Sequence, residues 1–281
     1  MQTQALQIHH DGLDRKYQLM IPDDPDGTLL IGLHGATQRG SIMARTTSFH
    51  ELPDASHFTL AYPDAWEGTW RDGRAEDDDV DDVGFIEKLI VQLVDYRNID
   101  RGRIVLVGAS NGGFLSQRLI CELPGQFRAV ATVIATMGLA VFQRSYIDEI
   151  PSLFLVAGTA DPIIPYNGGE TPGSLMNNEN APIIGFEDLV EHWKNLGSFD
   201  RCEHYRRQVP ALDSGELLID TESCSSSSHS HRMMRAITVE GGGHQWYGRR
   251  VSQETLRHFG ASTTEFQLSA EIIRFFGKVL Q

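Results

Sequence analysis

"VLVGASNGGFLSQRL", residues 105–119, sets Ser110 between Gly108 and Gly112, after an apolar run and before a helical pattern. G-x-S-x-G fixes only three positions, and chance supplies roughly 0.2 matches in a chain of this size. The flanks make it specific. "RIVLVG" (103–108) reads as a strand, and "GGFLSQRLICEL" (112–123) reads as a helix that begins directly after the serine. Strand, sharp turn and helix form a nucleophile elbow, in which glycines admit close backbone contacts and the bend pushes the serine oxygen out at the strand end. The helix N-terminus aims backbone N–H groups at the same place. A phosphate-binding loop is the competing reading of a glycine-rich turn. "GASNGG" lacks both the G-x-G-x-x-G order and a following Lys-Ser or Lys-Thr.

A serine hydroxyl needs a base to take its proton, and the base needs an orienting acid. In the elbow architecture these follow in the order serine, acid, histidine, each on a loop after a strand. "SLFLVAGTADPIIPY" (152–166) puts Asp161 just beyond a buried strand, with Pro162 biasing it toward an extended backbone. Asp188, Asp200 and Asp220 fall in a helical pattern or polar loops and are weaker choices. "MMRAITVEGGGHQWYG" (233–248) ends an alternating strand in three glycines and then His244, with His229, His231 and His258 as weaker alternatives. For the oxyanion, one donor is expected to be the backbone N–H of Asn111. The other is expected from "TLLIGLHGATQRG" (28–40), where Gly35 permits a tight turn and either Ala36 or Thr37 faces the site.

The same alternation extends outward. "TLLIGL", "FTLAY", "AVATVIA" and "SLFLVAG" read as strands buried on both faces, while "ALQIHH" and "RKYQLMI" alternate and suit an antiparallel edge. Ile86, Leu89, Ile90 and Leu93, and again Phe186, Leu189, Val190 and Trp193, mark apolar helix faces. "LSAEIIRFFGKVL" closes the chain with a further amphipathic helix. The expectation is an α/β protein with a mostly parallel central sheet and helices on both faces. With no internal repeat and no linker rich in Pro, Gly or Ser, residues 1–281 are expected to form a single domain.

A formal net charge of −14 repels phosphate backbones and anionic headgroups, so neither nucleic acid nor membrane is expected as a partner. No spanning segment or export signal is evident, so the chain as written reads as cytoplasmic, or as secreted if a signal was removed upstream. Cys121, Cys202 and Cys224 lack metal-site spacing and read as free or buried thiols. "TESCSSSSHSHRM" (221–233) reads as a polar surface loop, whose His229 and His231 alone are too few for a metal site. The acidic run "EDDDVDD" (76–82) reads as a solvated helix start. Trp66, Trp70 and Trp246 lie on loops at the expected active edge, where they suit either a substrate wall or local packing.

Taken together, "LHGATQ", "AYPDAWEGTWRDGR", "VDDVGFIEKLI", "IDRGRIVLVGASNGGFLSQRL", "GTADPIIPYNGG" and "GGGHQWYG" resemble the α/β-hydrolase esterases that include polyhydroxybutyrate depolymerases, LpqC-like proteins and feruloyl esterases. The resemblance covers most of the chain. It implies a cofactor-free and metal-free carboxylic ester hydrolase, acting on a small or polymeric hydroxyalkanoate, feruloyl or short acyl ester, with Ser110, Asp161 and His244 as its triad. It also implies a disulfide between Cys202 and Cys224, and with it an oxidising compartment. The chain departs from the family's usual proline with Tyr247, and in its serine-rich segment. A catalytically silent hydrolase fold used for ligand or partner binding is the alternative reading.

Overall fold

The computed structural model describes residues 1–74, 80–171, 180–229 and 231–281; residues 76–79 of the acidic run lie outside them. β1 (Gln2–His10) and β2 (Leu13–Ile21) form an antiparallel hairpin. Asp11 and Gly12 both take positive φ at its turn, as an Asp-Gly hairpin turn requires. β3 (Leu29–Leu33), β4 (Thr59–Pro63), β5 (Ile104–Ala109), β6 (Ala129–Val133) and β7 (Ser152–Gly158) come next as short strands. Two-residue strands β8 (Gly169–Glu170) and β9 (Pro182–Ile183) pair apart from the main sheet. β10 (Phe199–Pro210), β11 (Glu216–Ser226) and β12 (Met233–Glu240) complete the set.

The ten-stranded sheet runs β1-β2-β4-β3-β5-β6-β7-β12-β11-β10. Its six central strands are parallel, and an antiparallel pair extends it at either end. β3, β4, β6 and β7 are buried throughout, which is why their sequences are continuous apolar runs rather than alternations.

Helices cover both faces. On one face lie α2 (Asp82–Arg97), α3 (Asn111–Glu122) and α5 (Phe186–Gly197), whose Ile86, Leu89, Leu115, Leu189 and Trp193 join one core. On the other, α1 (Gly40–Thr47) and α7 (Leu268–Val279) contribute Met43, Ile272 and Phe276 to a second core. The short helices α4 (Leu139–Phe142) and α6 (Gln253–Phe259) belong to the connections. No helix among the described residues is long and apolar enough to cross a membrane.

Three expectations need correction. Residues 221–226 of the serine-rich segment are not loop but the end of β11, and the chain leaves the strand only at Ser227 on its way to β12. Those strand residues pair with β10 on one side and β12 on the other, so ladder hydrogen bonds override the weak strand propensity of serine. Asp82, expected in a solvated helix start, is buried and paired with the buried Arg15 guanidinium, while Asp81 caps α2 by accepting from the Gly84 N–H at 2.8 Å. Cys202 and Cys224, first read as thiols, face each other in register across β10 and β11 and form the disulfide that the resemblance implied. Cys121 remains a thiol, pushed up by burial to a pKa of about 12.

Candidate active site

Ser110 stands between the end of β5 and the start of α3 with φ 54° and ψ −122°, a conformation that a non-glycine residue rarely occupies. The surroundings hold it there. Its N–H donates to the Val133 carbonyl at 2.9 Å, and its own carbonyl accepts from Gly113 and Phe114 at 2.8 and 3.0 Å. The flanking glycines are sterically required: a Cβ on Gly108 would lie 2.1 Å from the Gly112 carbonyl oxygen, and one on Gly112 would lie 2.5 Å from that of Leu33. The elbow is therefore wedged between β3 and α3.

The loops after β7 and β12 bring Asp161 and His244 to this point. His244 Nε2 lies 3.0 Å from Ser110 Oγ, and Nδ1 lies 2.7 Å from Asp161 Oδ2. The other Asp161 oxygen, Oδ1, accepts from the N–H groups of Ile163 and Ile164 at 2.7 and 2.8 Å. With the carboxylate so fixed, Nδ1 carries the proton toward Asp161, and Nε2 is left to accept from the serine hydroxyl. The weaker alternatives sit elsewhere. Asp188 lies on α5, Asp200 binds Ser227, Asp220 pairs with Arg206, and His258 bonds back to Glu254 of its own helix.

The turn after β3 sets Ala36 and Thr37 in different surroundings. Thr37 N–H donates to the Gly68 carbonyl at 2.8 Å and is occupied, whereas the Ala36 N–H has no protein partner among the described residues. Thr37, not Gly35, is the left-handed residue of this turn, at φ 62°. Asn111 N–H, in the first turn of α3, is likewise without a partner among the described residues. Ala36 and Ser110 line one cavity.

Sequence reasoning overlooked the groups that hold these two donors. The Asn111 side chain is buried and accepts from Trp70 N–H at 2.7 Å, donates to the Trp70 carbonyl at 2.9 Å and donates to Asp72 Oδ2 at 2.6 Å. Asp72 in turn binds Arg74, whose guanidinium lies 3.9 Å from the Phe114 ring centroid. Trp70 Nε1 donates to the His34 carbonyl at 3.0 Å. His34 Nδ1 donates to the Gly35 carbonyl at 2.7 Å, and Nε2 accepts from Ala65 N–H at 3.0 Å. Burial lowers the His34 pKa, so the ring is kept neutral. The segment "TWRDGR" thus clamps the β3 turn to the start of α3. The sequence marks Trp70 as suited to local packing and "AYPDAWEGTWRDGR" as part of the resemblance, but nothing in it singles out Asp72, Arg74 or His34.

The three loop tryptophans divide. Trp246 is nearly buried and lines the cavity with Ser110, its Nε1 donating to Ser269 Oγ at 3.0 Å. Trp70 is 1 % exposed and lies in the clamp behind the site, so it packs rather than contacts substrate. Trp66 faces a separate surface hollow beside Arg15 and Asp64. Tyr247 is also internal: its hydroxyl donates to the Gly243 carbonyl at 2.8 Å and braces the glycine turn that carries His244. Burial raises its pKa, so it acts as a neutral phenol. The cavity is about 420 Å³ and is walled largely by Met43, Ile134, Ile163, Trp246 and Phe259.

No family model matches the chain. It is 28 % identical over 261 residues to NocK of Nocardia uniformis subsp. tsuyamanensis, a protein whose name assigns it as an esterase, covering 88 % of this chain and 74 % of NocK. It is 28 % identical over 179 residues to feruloyl esterase C of Emericella nidulans, covering 59 % of this chain and 62 % of that protein. Among solved structures, the acetyl xylan esterase from Aspergillus awamori superposes with a TM-score of 0.60 at 12 % identity, covering 87 % of this chain and 94 % of the other. That last likeness concerns the fold. The chain has the fold of the α/β-hydrolases, and the relatives it resembles carry esterase names.

Proposed function

We propose that the chain hydrolyses carboxylic esters through an acyl-serine intermediate, with residues 1–281 acting as one catalytic domain. The observation that carries this reading is the continuous relay from Ser110 Oγ through His244 to an Asp161 carboxylate fixed by two backbone N–H groups. Ser110 Oγ attacks the ester carbonyl while its proton moves to His244 Nε2. The carbonyl oxygen, now negative, accepts from the Ala36 and Asn111 N–H groups. As the tetrahedral intermediate collapses, the same proton passes from Nε2 to the departing alkoxide, and the alcohol leaves. Water, deprotonated by the same Nε2, then attacks the acyl-serine; collapse returns the proton to Ser110 and releases the acid.

The apolar cavity admits a short acyl or aryl-acyl group, or a single hydroxyalkanoate unit. The relatives' names agree with that range, since one is a feruloyl esterase. Hydrolysis of a panel of short p-nitrophenyl esters, methyl ferulate and polyhydroxybutyrate oligomers tests the substrate class. Labelling by a fluorophosphonate, lost in Ser110→Ala, tests the intermediate. A folded Ser110→Ala protein that hydrolyses these esters at the parental rate refutes the mechanism.

A further inference from the structure

The chain carries 38 acidic against 24 basic side chains, yet the cavity at Ser110 is lined by two arginines and, among the described residues, by no carboxylate. Arg249 and Arg250 lie on the segment that leaves the His244 loop toward α6, and both are exposed. Their situations differ. Arg249 Nη1 donates to the Arg45 carbonyl at 2.6 Å, in the last turn of α1, where a cation meets the negative end of the helix dipole. That bond accounts for Arg249 structurally. Arg250 makes no hydrogen bond or ion pair with any described residue, in a molecule with many acids to offer it.

An unpaired guanidinium beside apolar walls is suited to a ligand with an apolar body and an anionic end, because its fork of N–H donors matches a carboxylate. We propose that the preferred ester bears a carboxylate, recognised by Arg250 at the rim of the Ser110 cavity with Arg249 adding to the local positive field. The inference rests on the hydrolase reading and adds to it the charge of the substrate. Without such a contact the chain's net charge of −14 would disfavour an anionic ester against its neutral counterpart. The sign of the discrimination is therefore informative.

The test compares matched pairs by pH-stat. Monomethyl adipate against methyl hexanoate places the charge on the acyl side, and δ-acetoxyvalerate against pentyl acetate places it on the alcohol side. The expected result is a kcat/KM about 3- to 5-fold higher for the anionic member of one pair, the scale of a solvent-exposed ion pair. That ratio should fall toward unity in Arg250→Gln, persist in part in Arg250→Lys, and shrink in added salt. Preference for the neutral member in both pairs, or an anionic preference that survives Arg250→Gln, overturns the proposal. Failure of the hydrolase reading looks different: none of the four esters would then be turned over in a Ser110-dependent way.

Discussion

The parallel centre of the sheet and the β10–β11 hairpin at its edge are built on different physics. β3, β5, β6 and β7 bury both faces, and the loops at their C-terminal ends carry Ser110, Asp161 and the Ala36 turn. The hairpin buries little of β10 and is tied by the Cys202–Cys224 disulfide and by polar pairs such as Arg206–Asp220 and Lys194–Glu222. Between them stands β12, parallel to β7 on one side and antiparallel to β11 on the other, and its loop delivers His244. In the proposed mechanism the centre sets where the chemistry occurs, and the hairpin supports the strand whose loop carries His244. Substitutions in the centre should therefore act on rate, and those in the hairpin on stability.

The largest separation is expected for Ser110→Ala, with kcat on a p-nitrophenyl ester falling about 10^4-fold while the urea midpoint moves little. Next comes Asn111→Ala, which keeps the backbone N–H but removes the side-chain bonds to Trp70 and Asp72. We expect kcat to fall by roughly 10^2-fold with a smaller change in KM, as a displaced oxyanion donor predicts. An equal loss in KM alone would move Asn111 from positioning the donor to binding substrate. On the hairpin side, the paired replacement Cys202→Ala and Cys224→Ala should cost about 3 kcal/mol in urea unfolding, from a loop spanning 22 residues, with kcat per folded molecule preserved. A lower kcat in that variant breaks the division by showing that the hairpin tunes His244. Alkylation of both thiols in unfolded, non-reduced protein would remove the disulfide from the comparison altogether.

The smallest effect concerns pH. Burial lowers the pKa of His34 below its ordinary 6.5, so the unfolded chain takes up the proton first as pH falls. The neutral ring's contribution is present above 6.5 and is lost as pH falls through the lower folded value. His34→Asn should flatten the fall in unfolding free energy across that window, measured by urea unfolding, by no more than the slope of one proton, about 1.4 kcal/mol per pH unit. An unchanged slope would mean that other groups set the acid limit.

How much could be read beforehand divides in the same way. The central strands announced themselves because burial on both faces demands unbroken apolar runs such as Leu29–Leu33 and Ser152–Gly158. The elbow was legible because few residues fit around Ser110 at positive φ, which forces Gly108 and Gly112. The hairpin gave no such signal: "FDRCEHYRRQVP" is a strand by its partner's hydrogen bonds and not by its own side chains. The role of Thr37 was equally hidden, since only the arrival of the Gly68 carbonyl uses up its N–H. Arg15, Asp82 and His34 are polar residues buried by contacts distant in sequence, and local pattern assigns such residues to the surface.

The exposed strand β10 has a consequence for coexistence with other copies of the chain. A sheet edge offers unpaired backbone groups to any passing strand, and an apolar edge would invite one copy to stack on the next. From Asp200 to Arg206, five of the seven side chains carry or can acquire charge, most of them project into water, and Pro210 withholds a backbone donor at the strand's end. A second copy seeking to extend the sheet would have to strip water from these groups in register. The unusual polarity that conceals this strand in the sequence is what suits it to the edge, so that a sheet ten strands wide stops growing at β10.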